Sequence, residues 1–261
     1  PNEWNKLAKY NIGVTAAVET NQASGKWIDC CNRIVDRVFV TSKHAESSLI
    51  DPVYDLVDNN GQNVGKMKCT TPIDVISYPV RKTEKDTSFH KEIELETKFN
   101  FLTMAQMGPR KNLENTIFWF LEEFRDNPDV GLIVKTHRMN NSCMDRYNIQ
   151  KNVEHICDSV KGKKCKIYLI HGNLTDEEIA SFYNHPNIHA YVTATHGEGF
   201  GLPTFEAAHN GMPVVAPAWS GHLDFLYADV KNKVSGRVKK TPMFTKVRYD
   251  LRPVQKEAIW E

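Results

Sequence analysis

Strands alternating with helices predict an α/β chain built on a doubly wound parallel sheet, and three observations carry that prediction. Short apolar segments near 99–104, 131–136, 166–171, 189–195 and 213–216 are separated by stretches of helical periodicity. Gly197, Gly199 and Gly201 punctuate the passage from one of these strands into a helix. A smaller run of the same rhythm occupies residues 11–50. In such sheets ligands bind outside the carboxyl ends of the strands, so the loops after each strand are where chemistry is expected.

Residues 11–16 read as a strand, 27–34 as helical, and 37–41 as a strand leading into a helix over about 43–50. Residues 51–73 are polar, with Asn59-Asn60-Gly61 as a turn signal, and predict a loop or hairpin. Gly61 to Met67 is not a phosphate loop: three residues separate Gly61 from Gly65, where that motif needs four, and Met67 stands where a Ser or Thr would hold magnesium. Residues 73–80 read as a strand. The charged run 81–98 predicts a linker, which places a boundary near residue 85 between a domain at 1–85 and one at 86–261.

In the second domain Leu113, Ile117, Phe120, Leu121 and Phe124 share one helical face, and Thr175 with Glu178 forms a capping box for another helix. Pro203 suits the first position of a helix, residues 204–210 continue it, and Gly211 stops it. A further helix is expected from 221 to 227, after which 231–246 is basic and turn-rich.

A chain of 261 residues with 41% hydrophobic residues can bury a good core. No apolar run approaches the roughly 18 residues that span a bilayer, no secretory signal opens the sequence, and a net charge of +1 gives no broad field for nucleic acid. The six cysteines show no zinc spacing and read as free thiols, so a cytoplasmic location is expected. Asn140-Asn141-Ser142 and Asn173-Leu174-Thr175 match the glycosylation sequon, which has no use there.

A glycine-rich turn running into a helix N-terminus is an anion site, because its N–H groups and the helix dipole face a ligand that no Cβ keeps away. Glu198 and Glu206 flank it with seven residues between them. Carboxylates repel phosphate but accept from hydroxyls, so a ligand carrying phosphates and hydroxyls is implied. Glu198-Gly-Phe-Gly-Leu-Pro-Thr-Phe-Glu206, Gly211-Met-Pro-Val-Val215 and Trp219-Ser-Gly221 resemble the donor-binding signature of retaining GT-B glycosyltransferases of family 4, group 1. The segment from Gly13 to Glu19, with Trp27, Cys31-Asn32 and Val40-Thr-Ser42, is similar to the last third of that family's N-terminal domain. The resemblance implies a fragment holding the end of the acceptor-side domain and most of the Rossmann-like donor domain.

By the same resemblance, Lys111 contacts the donor's phosphates, with Arg110 as a substitute for an arginine the family often has at the position of Ala105. The other reading of Arg110 and Lys111 is a solvated basic pair at a helix start. Glu198 lies near the transferred sugar, Glu206 accepts from the ribose, and the backbone of Phe200, Gly201 and Leu202, with the helix from Pro203, meets the phosphates. His196 either touches the sugar or completes the turn, and Gly172 to Leu174 either edges the base or merely connects. The family's N-terminal catalytic histidine has no assignable counterpart; His44 lies in that domain without a motif to support it.

The implied activity is retaining transfer of a sugar from a nucleotide-diphosphate sugar to an acceptor hydroxyl, with electrostatic stabilisation of the leaving diphosphate. No Asp-x-Asp pair occurs, so neither metal nor cofactor is expected. The alternative is a non-catalytic nucleotide-sugar-binding module that needs a missing domain or partner for turnover. Tyr249 to Val254 is similar to the strand-like segment before the family's final helices. Absence of the last of those helices would expose apolar surface that a homodimer could cover.

Overall fold

The structure is a computed structural model and describes residues 5–16, 19–79, 84, 88 and 93–254. These fall into two compact units, one comprising Pro1–Val80, Gly197–Gly201 and Trp219–Asp224, the other Arg81–His196, Leu202–Ala218 and Phe225–Glu261. The boundary expected near residue 85, and most of the charged run beside it, lie outside the described residues.

The first unit runs β1 (Ile12–Thr15), α1 (Gly25–Ile34), β2 (Arg37–Val40), α2 (Lys43–Ile50), β3 (Tyr54–Val57), β4 (Asn63–Met67) and β5 (Ile73–Val75). β1, β2 and β5 form a three-stranded parallel sheet in that order. Ser42 starts α2 by accepting from the Ala45 N–H at 3.1 Å, and α2 packs Ala45 and Leu49 against Val38, Val40 and Cys31. β3 and β4 are the expected hairpin. Its turn closes through Gly61, whose φ of +78° is where glycine carries no Cβ penalty.

The second unit runs β6 (Phe99–Met104), α3 (Leu113–Glu123), β7 (Val130–Lys135), α4 (Cys143–Ser159), β8 (Lys166–Ile170), α5 (Asp176–Phe182), β9 (Ala190–Val192), α6 (Leu202–His209), β10 (Val214–Pro217), β11 (Tyr227–Lys231), β12 (Val238–Pro242) and β13 (Thr245–Val247). Six of these strands make one parallel sheet in the order β13-β10-β9-β6-β7-β8. Both faces are covered. Leu132 and Val134 of β7 pack with Ile117, Leu121 and Ile149 on one side, while Ile133 packs with Leu102, Phe182 and Tyr191 on the other. A strand buried on both faces reads as a continuous apolar run, as Val-Gly-Leu-Ile-Val does here. α5 carries both bonds of the capping box at Thr175 and Glu178.

The C-terminal stretch differs from expectation. Residues 221–224 make a short 3-10 turn rather than a helix, and the basic, turn-rich stretch forms the antiparallel hairpin β11-β12 followed by an edge strand. Edge strands need only backbone pairing on one side and tolerate lysine, so β13 carries no apolar pattern that would announce it. Tyr249 to Val254 has no regular structure.

Gly131 is where the sheet leaves no room. A Cβ there would lie 2.4 Å from Asn100 Oδ1, 2.6 Å from Thr97 Oγ1 and 2.7 Å from Tyr168 Cε2, all within one hydrogen-bonded group. Gly131→Ala is expected to destabilise the chain by about 1–3 kcal/mol, seen as a lower melting temperature in thermal denaturation. An unchanged melting temperature would show that this group yields without loss.

Candidate functional site

Strand order reverses between β6 and β9, which are neighbours in the sheet although three helices and two strands separate them in the chain. The loops leaving their carboxyl ends therefore diverge from a common crevice, the place where doubly wound sheets bind ligands. Three hydrogen bonds join these loops. Asn112 Nδ2 donates to Ala194 O at 2.9 Å, the His196 N–H donates to Arg110 O at 2.9 Å, and Thr195 Oγ1 donates to the same carbonyl at 3.3 Å. Asn112 stands at φ 53°, ψ 31°, a left-handed conformation that asparagine tolerates better than most residues. Its carbonyl receives both the N–H and the hydroxyl of Thr116, which starts α3 at the following residue.

The β6–α3 loop and the first turn of α3 line an open cavity of about 810 Å³, with Arg138 from the loop after β7 as a further wall. Among the described residues that line it, Arg110, Lys111 and Arg138 stand with one carboxylate, Glu114, and the N-terminal end of α3 adds its partial positive charge. Such a lining is chemically suited to an anion. Arg138 and Glu114 approach to 3.8 Å with both side chains about half exposed, and a pair of that kind is worth only about 0–1 kcal/mol. A phosphate can compete with Glu114 for the guanidinium.

The backbone of Arg138 is fixed from several sides. Gln106 Nε2 donates to its carbonyl at 2.6 Å, and Asp145 accepts from the N–H groups of Arg138 at 3.0 Å and Met139 at 3.2 Å. The other contact of that buried carboxylate is His171 Nε2 at 2.9 Å. Burial raises the Asp145 pKa, but His171 and the two backbone N–H groups outweigh it and hold the carboxyl below its ordinary range. Burial also lowers Lys135, whose Nζ donates to Gly172 O at 2.7 Å, and burial with the Lys135 charge lowers His137.

Of the residues picked out in the sequence, Arg110 and Lys111 line the cavity and His196 is bonded to the Arg110 backbone. Glu206 is not in the lining; it is half-buried on α6, where the Tyr183 hydroxyl donates to its Oε2 at 3.0 Å. Burial raises the Glu206 pKa, the Tyr183 bond pulls the other way, and the net direction is upward. α6 begins one residue before Pro203, at an exposed Leu202. Gly172 sits at φ +122° after β8, a glycine conformation, while Leu174 packs its side chain on the core. Sequence reasoning missed Arg138, although its place just after β7 at a strand's carboxyl end was a usable signal.

Gly197 to Gly201 belongs to the first unit. A Cβ on Gly197 would meet Glu19 O at 1.9 Å, and one on Gly221 would meet Gly199 O at 2.0 Å, so both glycines are required by close backbone approach. Ser42 Oγ donates to Gly199 O at 2.5 Å, the Glu198 N–H donates to Ser220 Oγ, and the Gly221 N–H donates to Glu198 O at 2.8 Å. Phe200 is buried edge-on against Tyr78, and Gly201 has φ +90°. In the same unit His44 stacks edge-on with Trp219 at 4.9 Å.

No family model matches the chain. Over 119 residues it is 29% identical to the serotype-specific mannosyltransferase WbdA of Escherichia coli, a match covering 44% of this chain and 13% of that protein. Among solved structures it is similar to the pneumococcal O-GlcNAc transferase GtfA in complex with UDP and GlcNAc, at TM-score 0.53 and 15% identity over 85% of this chain and 40% of that one. It is likewise similar to Staphylococcus aureus TarM with UDP, at TM-score 0.54 and 14% identity over 91% and 41% of the two chains. An E. coli trehalose-6-phosphate structure bound with UDP-2-fluoro glucose gives TM-score 0.57 and 9% identity over 82% and 54%. The chain thus spans about an eighth of the curated relative and about half or less of these structures. At such identities the likeness is one of fold: an α/β fold of the GT-B glycosyltransferase type with a six-stranded parallel sheet.

The buried Asp145 and the half-buried Glu206 have pKa values shifted in opposite directions. Asp145 is held below its ordinary 3.8, so its stabilising contribution is complete above that value and is lost as pH falls through the depressed one. Asp145→Asn should lower stability at pH 7 by about 1–3 kcal/mol, with the gap narrowing below about pH 4, in urea titrations. Glu206 is raised above its ordinary 4.5, so ionising it opposes folding at neutral pH. Glu206→Gln keeps an acceptor for Tyr183 and should raise the urea midpoint at pH 7, an advantage that vanishes as pH falls towards 4.5. A midpoint lowered at pH 7 would contradict the second expectation.

Proposed function

We propose that this chain is the donor-binding part of a retaining glycosyltransferase of the family 4 type, which moves a sugar from a nucleotide-diphosphate sugar to an acceptor hydroxyl. The observation that carries the reading is the cavity at the strand-order reversal, where Arg110, Lys111 and Arg138 gather at the N-terminal end of α3. A diphosphate leaves with about two negative charges, and a helix terminus alone supplies only about 0.3–2 kcal/mol, so cations are required as well. Lys111 and Arg110 take that role.

Glu198, in the turn Gly197–Gly201, serves the transferred sugar, and the backbone of Phe200, Gly201 and Leu202 with the helix after Pro203 serves the phosphates. Glu206 accepts from the ribose hydroxyls: Tyr183 orients the carboxylate through one oxygen and leaves the other to a ligand. His196 and the loop Gly172 to Leu174 border the nucleotide. The step needs no metal in this reading, and the activity is placed in the cytoplasm. The relatives support the donor class by what they are: WbdA is named a mannosyltransferase, and GtfA and TarM are seen with UDP.

Calorimetric titration with UDP, GDP and ADP and their sugars, with EDTA present, tests the reading. One nucleotide should bind, and Lys111→Ala should weaken it roughly tenfold to a hundredfold, the value of a hydrogen bond to a charged group. Glu206→Ala should weaken the nucleotide and leave inorganic diphosphate unaffected. Failure of every nucleotide to bind, or affinities indifferent to both substitutions, would sink the proposal. Binding without turnover on any acceptor would favour the non-catalytic module.

A further inference from the structure

The hairpin Tyr227–Pro242 carries Lys231, Lys233, Arg237, Lys239 and Lys240 against the single carboxylate of Asp229, a net charge of +4 in a chain whose total is +1. The remaining residues together are therefore at −3, so positive charge is concentrated here rather than spread. Every residue from Ala228 to Lys240 is exposed. Among the described residues none of these five cations is joined to a carboxylate in an ion pair, although Lys240 lies over the Tyr227 ring at 5.7 Å. Aliphatic side chains stand among the charges: Val234 at the tip is 98% exposed and Val238 62%.

We propose that this hairpin is a peripheral membrane-binding element that docks on anionic phospholipid, a role independent of the donor site. Cations at the headgroups with aliphatic side chains reaching the acyl boundary are the pattern that holds a surface segment on such a bilayer. A binder of single-stranded nucleic acid would interleave aromatic rings with its cations for stacking; the one ring of this hairpin, Tyr227 at its base, is half-buried and lies against Lys240 and Lys246, and residues 228–240 contain none. The tip is shaped for insertion: Asn232 Oδ1 accepts from the N–H groups of Val234 at 2.9 Å and Ser235 at 2.8 Å, so these two donors are met within the turn while the Val234 side chain is exposed. Among the described residues no helix is long and apolar enough to cross a membrane, so their hold on a bilayer is at its surface.

Co-sedimentation with vesicles of phosphatidylcholine, alone or with about a quarter phosphatidylglycerol, tests this at about 0.05 M and about 0.5 M salt. The chain should bind only the anionic vesicles and release them at high salt. Each cation near such a surface is worth about fivefold in partition, so Lys233→Gln/Lys239→Gln should lose about 25-fold, and Val234→Ser several-fold. Lys161→Gln/Lys164→Gln, on another exposed surface, should bind as the parent does. Nucleotide affinity should be unchanged in the hairpin variants, which keeps this outcome separate from that of the donor site. Equal binding to neutral vesicles, no vesicle binding, or full binding by Lys233→Gln/Lys239→Gln overturns the proposal. Binding to heparin without binding to vesicles also overturns it and assigns the hairpin to a soluble polyanion.

Discussion

The second unit depends on one topological constraint, the reversal of strand order at β6 and β9. Because the chain continues to β7 and β8 on one side and returns to β9 and β10 on the other, two loops end beside each other with no strand between them. Their backbone groups must be satisfied locally. Asn112 and Arg110 do this by bonding across to Ala194, Thr195 and His196. The left-handed turn at Asn112 that permits those bonds also sets where α3 begins. The basic residues before it therefore sit at the positive end of a helix by construction.

That geometry also fixes the three cations around the cavity. Arg110 and Lys111 precede the helix in a loop tied at its far end, and Arg138 comes from a loop whose N–H groups are held by Asp145. Two of the three cations would repel each other in an unconstrained loop. Here the repulsion is offset by fixed dipoles and by a half-exposed Glu114, a balance that an incoming anion improves.

Much of this was legible in the sequence because it follows from periodicity. The helix Lys43–Ile50 and the strand Phe99–Met104 have the expected bounds, since each pairs a clear apolar pattern with a clear cap or turn. The glycines of the 197–221 stretch were legible as turn residues, but what each one avoids was not. Gly197 yields to the Glu19 carbonyl and Gly221 to that of Gly199, contacts that only the folded chain creates. The hairpin β11-β12 and β13 look like a basic turn region in the sequence because exposed strands rich in lysine carry no apolar alternation. Arg138 is marked in the sequence only by its place just after β7, with no motif around it. Its position is set by a carboxylate seven residues on, in the next helix.

The buried Asp145 and the half-buried Glu206 of the second unit differ in how far the fold meets their charge. Asp145 has three donors within hydrogen-bond distance and its pKa falls despite burial, which is what a carboxylate does when the fold supplies everything its charge needs. Among the described residues Glu206 accepts from Tyr183 alone, and its pKa rises, so the fold leaves part of its charge unmet. A glutamine would fill the same space and keep the Tyr183 bond without that penalty. In the proposed donor site the missing donors come from outside the chain. Hydroxyl groups are the donors that suit it, because a phosphate would be turned away by the carboxylate itself.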